Sequence, residues 1–266
     1  MWYRIATAPT ILRNPVIGGF WVDDDFIEYG KPLNKSEWKA LLKTAKTNIF
    51  QFPHLWLGVL ALFLYVGVEV IAGDTIGLFG SKLAVENATS LTSYTMVFMV
   101  IGYVMGLLFI PRVISQQQAL FGSAVLGVVF SILIVLSDPL NTSISAVLWG
   151  WMGIPLLPDT ITYIALLGFA NALVWPAVWP LALNGLGKFT KTASALLIMA
   201  ISGGAILPLL YGKLVDIKKT DLIAQGLSEV VATAASSTSG YWILLPCYLI
   251  ILYYAFSGHK LGLKSS

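Results

Sequence analysis

Six apolar runs alternate along the chain with breaks rich in charge, proline and glycine. The first covers Leu55 to Phe79, with Pro53 just ahead of it in a position suited to a helix start. The second runs from Leu91 to Ile110 and is closed by Pro111 and Arg112, after which Ser115 to Gln118 read as a tight polar turn. Ala119 to Leu136 form the third, ended by Asp138 and Pro139. Residues 140–158 make a longer connection, and its Trp149 and Trp151 suit a membrane interface. The fourth run is Thr160 to Leu183, the fifth Thr192 to Tyr211 and the sixth Gly240 to Phe256, with 213–239 as a polar connection. A helix crosses a bilayer with about 20 such residues. The pattern therefore predicts an all-α, polytopic membrane protein with six transmembrane helices.

Residues 1–50 break the pattern. Arg4, Pro9, Arg13 and Pro15 interrupt their apolar positions, and they lack the apolar core and cleavage site of a signal peptide. The run Asp23, Asp24, Asp25 reads as a solvated loop, since no second cluster of ligands accompanies it. Ser36 can cap a helix over SEWKALLKTAKTNIF, with Glu37 in its first turn. There Leu41, Leu42 and Ala45 stand against Lys39, Lys43 and Lys46, as in an amphipathic helix lying on a membrane surface. The chain thus divides into a cytoplasmic segment, 1–50, and a six-helix bundle, 51–266.

Composition agrees with this reading. Of 266 residues 57% are hydrophobic and 11% charged, with a mean hydropathy of +0.81, whereas soluble domains carry about 25% charged residues. The net charge of +3 matters through its distribution. With both termini cytoplasmic, 12 of the 16 lysines and arginines fall inside and 4 outside, so the positive-inside rule favours that orientation in the cell's inner (plasma) membrane. Seven of the twelve come from the N-terminal segment. The cations form no stripe suited to nucleic acid. The single cysteine, Cys247, precludes an intrachain disulfide and a cysteine-based metal site, and it reads as a small buried hydrophobe.

Polar residues inside the runs are the candidate chemistry. Glu69 lies near the middle of the first, and Asp74 further on, where the far interface would hold it cheaply. A carboxylate at mid-membrane depth costs a few kcal/mol and faces a bundle or a watery cavity. Glu69 is thus either a buried structural acid with a hydrogen-bond partner or a functional group. In the fourth run Tyr163, Asn171, Trp175 and Trp179 recur at multiples of four and share a helix face. Pro176 and Pro180 each remove a backbone hydrogen bond and kink that helix. An amide above an indole suits a sugar, donating to and accepting from hydroxyls while the ring covers C–H faces. Plain packing is the competing reading. Ser202, Gly203, Gly204 and Pro208 in the fifth run point to close helix approach or to a hinge. His54 and His259 lie at span ends, and neither HExxH nor GxSxG occurs, so an enzyme, a metal site and a cofactor are not expected.

The stretches QFPHLWLGVLALFLYVGVEVIAGDTI and GFANALVWPAVWPLALNGLGKFTKTASALLIMAISGGAILPLLYGKLVD, with the closing aromatic span, resemble sugar transporters of the major facilitator superfamily. The resemblance is to the fucose–proton symporter family, in its bacterial glucose/galactose transporter branch, and covers Phe50 to about Lys264. It implies the second six-helix half of a twelve-helix transporter, preceded by the central cytoplasmic loop. Glu69 then corresponds to a polar side chain that the family's seventh helix presents to the cavity. Trp175 corresponds to an aromatic ring of the tenth helix, with Asn171 one turn before it. These three are the expected sugar ligands. The family's proton-carrying carboxylates belong to the first half, so none is expected here. The resemblance implies membrane transport of a hexose-type sugar by part of a proton-coupled carrier, paired with a complementary half or a second copy. The alternative is a non-transporting half or an accessory membrane subunit.

Overall fold

The computed structural model describes residues 48–83, 85, 87–110, 112–138 and 141–263. The expected surface helix over 36–49 and the acidic run at 23–25 lie outside these, except for Asn48 and Ile49. At that edge Ile49–Gln51 form one 3-10 turn, whose cap Asn48 accepts from the Phe50 N–H and donates its own N–H to Gln51.

Ten α-helices follow among the described residues: α1 Pro53–Lys82, α2 Leu91–Phe109, α3 Gln116–Leu136, α4 Ser143–Trp149, α5 Asp159–Ala172, α6 Val174–Leu183, α7 Thr190–Met199, α8 Gly203–Ala224, α9 Glu229–Gly240 and α10 Leu244–Phe256. They assemble into six segments long and apolar enough to cross a membrane: Pro53–Lys82, Ala88–Phe109, Gln116–Leu136, Asp159–Leu183, Gly187–Ala224 and Val231–Phe256. The all-α, six-span architecture is as the hydropathy pattern predicts.

Helix α1 is the central post. It packs against α8, α6, α10, α5 and α2, while α2 lies along α5 and α10 along α3. Its buried face includes Leu62, Tyr65, Val68, Ile71 and Ile76. In lipid no hydrophobic effect drives one apolar helix onto another, so close backbone approach carries the packing. Gly203 meets the backbone of Phe63 so closely that a methyl group there would overlap the Phe63 carbonyl oxygen. Gly168 stands the same way against the Thr95 carbonyl. Close helix approach is therefore what the small residues near Gly203 provide.

The last three spans are each interrupted, and two prolines account for two interruptions. Pro176 cannot donate to the carbonyl four residues back and clashes with it, and α5 ends at that residue, Ala172. Pro246 does the same to Trp242, and the chain tightens into a 3-10 turn over Tyr241–Ile243. The third interruption, Ala200–Ser202, directly precedes Gly203 and Gly204.

Two polar stretches differ from expectation. Ser115 to Gln118 are not a separate turn but the start of α3. Ser115 accepts from the Gln118 N–H at 3.2 Å while the Gln118 side chain accepts from the Ser115 N–H at 2.8 Å, a reciprocal cap. The connection 213–239 is mostly helical, because α8 runs on to Ala224 and α9 begins at Glu229. Once nucleated, a helix extends through polar residues at little cost. Lys219 crosses the short link to Glu229 at 2.9 Å, and this bond holds the Glu229 carboxyl below the usual carboxylate range.

Candidate functional site

Glu69 sits about 24 Å along α1, a helix about 45 Å long at 1.5 Å per residue. It is half-buried. Tyr65 lies one turn earlier on the same face, buried, with its phenol beside the Glu69 carboxylate. Tyr103 of α2 brings a second hydroxyl to Tyr65, with 42% of its own surface exposed. A carboxylate paired with a phenol in this way keeps lone pairs free for another donor. Asp74, one to two turns beyond, is exposed at about 32 Å from Pro53, close to the thickness of a bilayer core.

The aromatic wall comes from α6. The Trp175 ring lies 6.4 Å from that of Tyr65, tilted by 50°, and stacks on Trp179 at 5.6 Å and 28°. Both indoles are half-buried, and Pro176 between them is exposed. The break at Leu173 thus turns a short helix carrying two adjacent indoles towards the Tyr65–Glu69 face.

Asn171 takes a different place. It has no exposed surface, and its Oδ1 accepts from the Tyr248 hydroxyl at 2.7 Å. Tyr248 is itself fully buried, its ring lying flush on Gly127 of α3. In this conformation the Asn171 side chain is engaged with α10. The helix breaks at Leu173, between Asn171 and the Trp175 indole. Its Nδ2 is buried without a hydrogen-bond partner among the described residues. A buried amide left so costs about 1–3 kcal/mol.

The structure brings Glu69 and Trp175 together through Tyr65 and links Asn171 to α10. Sequence reasoning missed Tyr103 and Tyr248. The available signal was a hydroxyl-bearing side chain inside an otherwise apolar span, and the span with which each pairs is not encoded locally. Among the described residues no group of three or more His, Cys, Asp or Glu side chains is placed to hold a metal ion.

No family model matches the chain. A solved structure of the major facilitator superfamily transporter FucP, in its outward conformation, superposes with a TM-score of 0.58 over 80% of this chain and 43% of that one, at 19% identity. The chain therefore shares the fold of about half of that structure. A glucose/galactose transporter of Brucella abortus (strain 2308) is 29% identical over 180 residues, covering 66% of this chain and 40% of that protein. A Helicobacter pylori (strain J99) protein, provisionally named glucose/galactose transporter, is 28% identical over 221 residues, covering 82% and 47%. The resemblance read from the residues thus holds, and these relatives are named as transporters, not enzymes. The chain spans less than half the length of the curated relatives that it matches.

Proposed function

We propose that this six-helix half presents the hexose-binding wall of a sugar transporter, working against a complementary six-helix half on the same or another polypeptide, or against a second copy. The observation that carries the reading is the Glu69–Tyr65–Trp175 cluster. It sets a carboxylate acceptor and a phenol beside a half-exposed indole on one seam of the bundle. The acceptor takes sugar hydroxyls, and charged acceptors bind them more strongly than neutral ones. The indole covers the C–H face of the ring. Named glucose/galactose transporters among the relatives support a hexose as the substrate.

Alternating access rocks one repeat against the other around a site near the midplane. The least buried spans are the second and the fifth, at 28% each, which leaves α2 and α8 free to face a partner bundle. In liposomes with an imposed proton gradient, the chain combined with a complementary half should accumulate glucose or galactose, and the chain alone should not. Accumulation by a proven monomer of this chain would overturn the need for a partner. No accumulation of any hexose by the complemented protein would overturn the substrate class.

The orientation belongs to the same proposal, with both termini cytoplasmic in the inner (plasma) membrane. Reporter fusions after Lys82 and Lys218 should read as external and one after Lys188 as cytoplasmic. The reverse pattern would invert the bundle.

A further inference from the structure

We propose that residues 143–157, between the third and fourth spans, form a hairpin that lies within the bilayer interface and anchors its end of the bundle to lipid. Charge is the first support. The sequence SISAVLWGWMGIPLL has no charged residue, although Asp138 and Asp159 stand just outside it on either side. A loop of this length projecting into water has no reason to exclude charge. One seated at the headgroup boundary does.

Depth is the second support. The hairpin folds back along α2 instead of standing away from it. The Trp149 ring packs 5.6 Å from Tyr94 and 6.2 Å from Phe98. These residues lie one and two turns inside the start of α2, about 5 and 10 Å along its axis. Interfacial segments bury their apolar face to about that depth, 5–10 Å.

The third support is how the polar groups are used. Ser145 donates to the Leu157 carbonyl at 2.7 Å and accepts from the Leu157 N–H at 3.0 Å. The Asp159 carboxylate accepts from the Ile144 N–H at 2.9 Å, and the Trp149 indole N–H donates to Pro155. The polar atoms thus turn inward and staple the hairpin shut, while its outer rim is apolar. Val147 and Trp151 are 79% and 76% exposed, and Leu148, Met152 and Leu156 are exposed beside them. Unpaired polar groups are expensive at that depth, and apolar side chains are not. Tryptophan in particular favours the interface. The occupant of this rim is therefore lipid at the headgroup–acyl boundary.

The test places an environment-sensitive fluorophore on the full chain in liposomes, through Val147→Cys and, separately, Trp151→Cys. Lys218→Cys on α8 serves as the water-exposed control. Cys247 is replaced by serine throughout, and circular dichroism checks that each variant keeps its helix content. At 147 and 151 the emission should be blue-shifted, lost when the liposomes contain lipids brominated near the top of the acyl chains, and insensitive to aqueous iodide. At 218 the pattern should reverse. Iodide quenching at 147 and 151 would show a loop in water and overturn the proposal. Protection from iodide without quenching by brominated lipid would show protein covering the rim, and would overturn it equally. The assay needs no transport activity, so its outcome is separate from that of the sugar reading.

Discussion

Glu69→Ala should weaken hexose binding by about 30-fold, and Glu69→Gln by only about fivefold, when each is measured at equilibrium on the chain paired with a complementary half. Hydrogen bonds to charged groups contribute about 1.5–3 kcal/mol and neutral ones about 0.5–1.5, with about 1.4 kcal/mol for each tenfold change. Alanine removes the acceptor altogether. Glutamine keeps a carbonyl for the sugar and for the neighbouring Tyr65 hydroxyl. The glutamine variant also separates two roles that the position allows. An acceptor that only binds sugar leaves proton-driven uptake coupled, and that is the expected result. A proton carrier, by contrast, would lose driven uptake in Glu69→Gln while exchange of sugar for sugar persisted. Unchanged affinity and uptake in both variants would mean that the carboxylate serves the bundle alone. Under the proposed function Trp175, half-buried on the same seam, is the second wall and does not compete for the acceptor.

Gly203→Val should cost the protein its stable fold. The overlap it creates is with the backbone of Phe63 on α1, not with the tip of a flexible side chain, so only a shift of a whole helix can relieve it. Overpacking typically costs about 1–3 kcal/mol and more where the backbone must move. The neighbouring contact offers little slack, because Gly67 of α1 is itself tight against the Leu207 side chain of α8. Gly212→Val on the same helix is the control, since a side chain there meets nothing. Thermal unfolding in detergent should show a large loss or no folded protein for the first variant and little change for the second. Equal stability of the two would mean that α1 and α8 do not approach as described.

Much of the architecture is legible in the sequence because lipid imposes one rule on every span: a helix of sufficient apolar length. Pro53 marks a start and Pro176 a break by removing backbone donors, and both act locally. The errors arose where the rule relaxes. Lys218, Lys219 and Asp221 belong to a helix, yet their polarity reads as a loop, because beyond the membrane hydropathy no longer reports on secondary structure. Gln116 to Gln118 likewise read as a turn until the reciprocal cap with Ser115 is seen. At the candidate site, Glu69 is conspicuous as a lone acid in an apolar run. Tyr248 is not, since its role depends on Asn171, which is 77 positions away, and on the space that Gly127 leaves for its ring. Spacing along a single helix puts Asn171 among the candidate ligands; its bond to Tyr248 depends on packing across three helices.

Prolines 176 and 180 carry a consequence for any mutational survey of this wall. Neither has an N–H, so the carbonyls of Ala172 and Pro176 lose the donors that a continuous helix would give them. Such oxygens are fixed acceptors that belong to the main chain. Replacing every side chain of the wall one at a time leaves them untouched, so recognition built on them would be invisible to an alanine scan. Their contribution is accessible from the opposite direction, by restoring a donor: Pro180→Ala gives the Pro176 carbonyl an amide partner within the helix and silences that acceptor without deleting any hydrogen-bonding side chain of the wall.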